Sequence, residues 1–345
     1  FTGWPSNANF ALSKAARTAL ARASFTTGTP IQEGAWEHIL EGDDVLLHAP
    51  TGSGKTLAYL LPLTEQLWND YNNNNNNNGE DDGVMVILTP TRELAAQVAG
   101  IATVLAPPGT VRFITTPCNI NDRNRMGSED DEFGGRSTAH TDAVPRIYVS
   151  SAKSMLMSLV GKQDGSAAPT PKPAAQQFIQ SVSHVVLDEV DHLLFSGSQK
   201  YKNKNKKHEK PAAILVSMIA RYTLSEAQII SASATVGRPM RRELARVLGL
   251  APKDGPILIR GQSDNNNDNG DNDMSTTRAV KIPSTVNHYV IPASDEDTGS
   301  GSMLTCAAKI ATTLIKHKKN GDNGNMKILL VISKTFGMAI HHVME

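Results

Sequence analysis

The residues best equipped for chemistry are Ala49-Pro50-Thr51-Gly52-Ser53-Gly54-Lys55-Thr56. Gly52 and Gly54 let the backbone curl, so that successive N–H groups can point inward at phosphate oxygens. Lys55 can reach the β- and γ-phosphates, and the Thr56 hydroxyl can face Mg²⁺. The helix expected to follow adds unsatisfied N–H donors and a partial positive charge. One departure from the P-loop pattern is Ala49, where the consensus has its first glycine. The second signal is Ser183-His184-Val185-Val186-Leu187-Asp188-Glu189, an apolar run ending in two acids. Such a strand delivers Asp188 to a metal shell and Glu189 to an attacking water. Alone, the acids read equally well as favourable charges at a helix N-terminus.

Shorter stretches carry two meanings each. Thr29-Pro30-Ile31-Gln32 is a capping box with proline at the first helical position. The Gln32 amide could also read the edge of an adenine, and the two roles are compatible. Thr91 and Arg92 stand at the start of an expected helix, where a phosphate can be held. Lysines between Gln199 and Lys210 read as a solvated loop that could touch phosphates.

The elements that must position these groups alternate. Strands are expected at Val45–Leu47, Val84–Leu88, Val111–Thr115, Arg146–Val149, Ser183–Asp188 and Gln228–Ser231, with helices between them. That alternation predicts an α/β fold, a parallel sheet with helices on both faces. Low-complexity insertions are expected near 70–83, 119–143, 161–175 and 198–210. They include an unbroken asparagine run from Asn72 to Asn78 that cannot bury apolar area. The 345 residues suffice for about two domains. The 34 basic and 34 acidic residues cancel, so no global field favours nucleic acid, though a local basic surface can. Cys118 and Cys306 form neither a disulfide framework nor a zinc pattern, and a reducing intracellular compartment fits. No apolar run is long enough to span a bilayer. The chain opens at Phe1, so the natural N-terminus and any targeting peptide are expected to be missing.

Taken together the motifs resemble the DEAD-box ATP-dependent RNA helicases of helicase superfamily 2. The carrying stretches are Thr29 to Gln32 (Q motif), Ala49 to Thr56 (motif I), Pro90 to Gln97 (motif Ia), Asp188-Glu189-Val190-Asp191 (motif II) and Ser233-Ala234-Thr235 (motif III). The resemblance implies a RecA-like P-loop domain over 1–285 and the incomplete start of a second, C-terminal one over 286–345. It implies ATP and Mg²⁺ as cofactors and RNA as partner. Phe25 would stack on adenine and Gln32 would bond its edge. Thr51, Gly52, Ser53, Gly54, Lys55 and Thr56 would hold the phosphates. Thr56 and Asp188 would serve the metal, the latter through water, and Glu189 would position the attacking water. Asp191, Ser233 and Thr235 would couple hydrolysis to strand separation. Thr91, Arg92 and Ser151 would contact RNA.

Two departures bear on this expectation. Val190 replaces the usual alanine of motif II, apolar for apolar, and leaves the carboxylates in place. Ser151-Ala152-Lys153-Ser154 stands where the family has Thr-Pro-Gly-Arg; a hydroxyl and a charge remain, but the arginine is gone. Motifs V and VI are not found before Glu345, so the chain is expected to be part of a longer helicase. The expected activity is ATP hydrolysis coupled to RNA unwinding. A nucleotide-gated RNA-binding protein without productive unwinding is the alternative, and a DNA-directed helicase of the superfamily is a third reading that the Q motif opposes.

Overall fold

The structure is a computed structural model and describes residues 12–73, 83–118, 120, 145–160, 170–194, 209–223, 226–250 and 255–261. The chain divides into two units, Phe1–Lys281 and Ile282–Glu345, and every described residue lies in the first. The second domain expected over 286–345, the asparagine run from 74 onward and most of the lysine-rich stretch lie outside the described residues.

Seven strands form the sheet: β1 (Val45–His48), β2 (Val84–Thr89), β3 (Val111–Ile114), β4 (Ile147–Ser151), β5 (Val182–Asp188), β6 (Gln228–Ser233) and β7 (Ile257–Arg260). Their order is β3-β4-β2-β5-β6-β1-β7, and every pairing is parallel. Parallel strands are covered on both faces, which is why β2 reads Val-Met-Val-Ile-Leu-Thr without alternation and is buried throughout. One face is covered by α1 (Lys14–Arg22), α2 (Pro30–Glu41), α3 (Lys55–Asn73) and α4 (Arg92–Leu105), through Leu20, Ile31, Leu60 and Val98. The other is covered by α5 (Ala152–Leu159), α6 (Pro173–Gln180), α7 (Val190–Leu194), α8 (Pro211–Tyr222) and α9 (Arg238–Leu248), through Met155, Ile179, Leu193, Leu215 and Leu244. Each such apolar side chain stabilises the fold by roughly 1.5–3 kcal/mol relative to exposure.

Register aims the site. Asp188 lies level with Ala232, and Leu47 pairs with the same Ala232. The carboxyl ends of β5, β6 and β1 therefore emerge side by side, where α3 departs on one face and α7 on the other. A crevice at strand carboxyl ends is where open α/β sheets bind ligands.

The structure differs from the sequence expectation at several borders. α3 runs to Asn73, so residues 70–73 of the expected insertion are helical. The insertion expected over 161–175 is shorter, because Pro171 bridges to Val160 and Pro173 opens α6. In the same way Lys210 is the N-cap of α8. β7 and α7 are additions to the expected pattern, both short.

Candidate nucleotide site and a basic groove beside it

The phosphate loop has the conformation its glycines permit. Gly52 and Gly54 sit at φ +78° and +91°, the left-handed region that favours glycine. At Gly54 a second constraint applies: a Cβ there would lie 2.3 Å from Gln32 Nε2 and 3.3 Å from Thr29 Oγ1. Gln32 is 3% exposed, and both ends of its amide are engaged. Its Oε1 accepts the Thr29 N–H at 2.9 Å, and its Nε2 donates to Gly54 O at 3.2 Å. The capping glutamine thus also fastens α2 to the loop, while the Thr29 hydroxyl beside it, though buried, has no partner among the described residues. The Ala49 departure is accommodated from β7. Gly261 donates its N–H to His48 O at 3.0 Å, and a Cβ on it would meet Ala49 Cβ at 2.7 Å.

Lys55 folds back into the loop, donating to Ala49 O at 2.6 Å and Pro50 O at 2.8 Å. Burial lowers its pKa, against the attraction of Asp188, Glu189 and Asp191. Asp188 accepts the Glu189 N–H on Oδ1 at 3.0 Å and the Tyr59 hydroxyl on Oδ2 at 2.9 Å. Burial raises the pKa of Asp188, opposed by those two bonds and by Lys55. Glu189 has φ +54°, a conformation that costs a non-glycine residue about 1–2 kcal/mol. Burial and then Asp188 raise its pKa.

The third element is β6. The Thr235 hydroxyl donates to Asp191 Oδ2 at 2.6 Å, and Ser233 Oγ accepts the Thr235 N–H at 3.0 Å while donating to Thr235 O at 2.8 Å. Asp191, Ser233 and Thr235 are thus one bonded unit between the acidic pair and the end of β6.

Phe25 is presented by the way α1 ends. Ser24 takes φ +59°, its N–H bonds Ala21 O, and the Phe25 N–H reaches back to Leu20 O. This is a Schellman closure with serine in the position glycine usually holds. It leaves Phe25 48% exposed just before α2.

Thr91 caps α4, accepting the Leu94 N–H, and is exposed with Arg92. They line an open groove of about 410 Å³ together with Pro117, Lys153 and Met157, and none of the described residues that line it is acidic. Ser151 also borders it but is 5% exposed. Its Oγ accepts the Ser154 N–H and bonds Ser154 Oγ, so this hydroxyl is engaged as the cap of α5 and Lys153 is the polar group left outward. A larger groove, about 600 Å³ between α1, α3 and α4, shares no lining residue with this one.

The loop, the acidic strand end and the bonded Ser-Ala-Thr unit occur in the expected order, and comparison with known proteins agrees. The model of the DEAD/DEAH box helicases matches residues 29–242.

The chain belongs to the DEAD/DEAH box helicase family.

Among curated relatives, the DEAD-box ATP-dependent RNA helicase RhpA of Helicobacter pylori is 27% identical over 248 residues, covering 71% of this chain and 40% of RhpA. The ATP-dependent rRNA helicase RRP3 of Meyerozyma guilliermondii is 28% identical over 176 residues, covering 51% of this chain and 30% of that protein. The chain thus spans well under half the length of these relatives. Among solved structures, the DEAD-box helicase Mss116 bound to single-stranded RNA and UDP-BeF superposes with a TM-score of 0.57 at 17% identity, over 91% of this chain and 52% of that one. The seven-stranded fold is RecA-like. No helix among the described residues is long and apolar enough to cross a membrane.

Sequence reasoning missed Tyr59 and Gly261. Gly261 acts on the site from far along the chain, and Tyr59, close to the phosphate loop in sequence, bonds an acid 129 residues away.

Proposed function

We propose that the chain is the ATP-binding part of an ATP-dependent RNA helicase that works inside the cell, with a second RecA-like domain beginning near residue 286. One observation carries the reading: α3, which leaves the phosphate loop, is bonded to the acidic strand end through Tyr59 and Asp188, and Asp191 is bonded to Thr235. A phosphate sensor and a hydrolytic carboxylate are thereby joined to an element that can transmit their state.

The residues present fit ATP and Mg²⁺. At Gly52 the loop opens onto free space, with nothing within 4 Å of where a Cβ would stand, and Ser53 Oγ is buried without a partner among the described residues. Thr56 and Asp188 are hard oxygen donors of the kind Mg²⁺ takes. Bound Mg²⁺ would supply charge neutralisation between the β- and γ-phosphates. Phe25 stacks on the adenine, and Gln32 reads its edge with its remaining donor and lone pair. The N–H groups of Gly52, Gly54, Lys55 and Thr56 would face the phosphates, while that of Ser53 closes the loop onto Pro50 O at 3.3 Å. Lys55 exchanges the carbonyls of Ala49 and Pro50 for phosphate oxygens, a stronger pairing between full charges. Glu189 orients and polarises the attacking water, its raised pKa making the carboxylate a better proton acceptor. Release of the γ-phosphate is felt at Asp191 and passed through Thr235 and Ser233. RNA phosphates lie against Thr91, Arg92 and Lys153, with Ser151 shaping that surface by holding the start of α5.

The engaged Ser151 hydroxyl, and the absence of the usual arginine from this stretch, favour a second reading, a nucleotide-gated RNA-binding protein without productive unwinding. Displacement of a short labelled RNA duplex by the full-length protein separates the two. Strand release with ATP and none with a non-hydrolysable analogue supports the helicase. ATP-dependent binding without release supports the second reading, and RNA binding indifferent to nucleotide contradicts both.

A further inference from the structure

Tyr59 raises a question that packing does not answer. Its ring is fully buried among the apolar residues of α3 and the sheet, a place a phenylalanine would fill equally well. Burying a hydroxyl without a partner costs about 1–3 kcal/mol, so the oxygen must be bonded or be a liability. It is bonded to the acid at the metal edge of the phosphate site, donating to Asp188 Oδ2 at 2.9 Å. The Glu189 N–H holds the other oxygen of Asp188. With a donor on each oxygen the carboxylate plane is fixed.

We propose that Tyr59 is a positioning residue for the metal: its hydroxyl, bonded to Asp188 Oδ2, holds that carboxylate in the orientation that Mg²⁺-nucleotide requires. The proposal rests on the nucleotide-binding reading above. The side chain acts only through Asp188.

The test is Tyr59→Phe in the full-length protein, which keeps the ring and removes the hydrogen bond to Asp188. Binding of fluorescently labelled ADP is measured with Mg²⁺ and with EDTA, and the ratio of the two Kd values is the readout. The ratio should fall about tenfold, the change expected when one hydrogen bond to a charged group is lost. The EDTA Kd should stay within about twofold, because the loop's own N–H donors are untouched. In an Asp188→Asn background, Tyr59→Phe should move the ratio no further. An unchanged ratio overturns the proposal, even with a lowered melting temperature, since the hydroxyl would then serve packing alone. Equal loss of affinity in Mg²⁺ and EDTA also overturns it, as does full additivity with Asp188→Asn. A wild-type protein that binds no nucleotide overturns the reading beneath it as well, whereas normal wild-type binding beside an unmoved ratio overturns this inference alone.

Discussion

Gly54→Ala is the most informative single change, because two separable penalties meet there. The first is conformational. At φ +91° an alanine is strained by about 1–2 kcal/mol whatever surrounds it. The second is a collision, with the new methyl 2.3 Å from Gln32 Nε2. The obstructing atom belongs to a side chain, but one that is buried and bonded at both ends. To yield, Gln32 must release Gly54 O and the Thr29 N–H, at about 1 kcal/mol each. The expected loss is therefore about 3–4 kcal/mol of stability, together with most of the nucleotide affinity. Gln32→Ala alone should lose about 2 kcal/mol. In the double variant nothing obstructs the methyl, and only the conformational strain adds to the Gln32 loss. Urea unfolding of the four proteins without nucleotide gives the coupling directly, and the double variant should be about 2 kcal/mol more stable than additivity predicts. Additive losses would mean that Gln32 does not limit the space at Gly54, and that the fastening of α2 to the loop is misread.

Glu189→Gln should retain ATP affinity while slowing hydrolysis at least a hundredfold, the usual weight of a positioned base; single-turnover assays beside equilibrium binding check this, and lost affinity with unchanged turnover contradicts the role. Thr235→Val should leave ATP binding intact and abolish the effect of ATP on RNA affinity, read by fluorescence anisotropy of labelled single-stranded RNA. His184 on β5 has its pKa lowered to about 4 by burial and then by Arg146. It is neutral in the fold while the free chain takes up its proton near 6.5, so stability falls as pH drops from about 6.5 to about 4, by about 3 kcal/mol at 1.36 kcal/mol per unit. Urea unfolding at stepped pH should show that loss, and His184→Gln should flatten it.

The phosphate loop was legible in the sequence because its parts are local. An apolar strand, two glycines, Lys-Thr and a helix follow one another within about twenty residues, and the fold only has to keep them so. Asp188 was legible for the same reason, as an acid closing an apolar strand. The same locality placed Thr29 and Thr91 at helix starts, where their side chains cap or flank the first turn. Contacts made across the chain were not legible. The Tyr59–Asp188 bond joins residues 129 apart, and a tyrosine in an apolar helix reads as core. Gly261 follows a four-residue edge strand whose apolar run, Ile257-Leu258-Ile259, is only three residues long and has no motif beside it to draw attention. α6 was hidden by its composition: Pro173 and two alanines resemble the loop before them, although proline at a first helical position is itself a start signal. Ser151 was expected only as an RNA contact, and its part as the cap of α5, bonded to Ser154, was not legible.

The most direct test of the account is steady-state ATP hydrolysis by the full-length protein, wild type beside Lys55→Ala, with and without single-stranded RNA. Lys55 is the one charge set against the phosphates from the loop itself, and the groove at Thr91 and Arg92 is the surface through which RNA would act. RNA should accelerate ATP hydrolysis at least tenfold, and the Lys55→Ala variant should be inactive under both conditions. Wild-type hydrolysis indifferent to RNA, or a Lys55→Ala variant as active as wild type, would contradict the helicase reading.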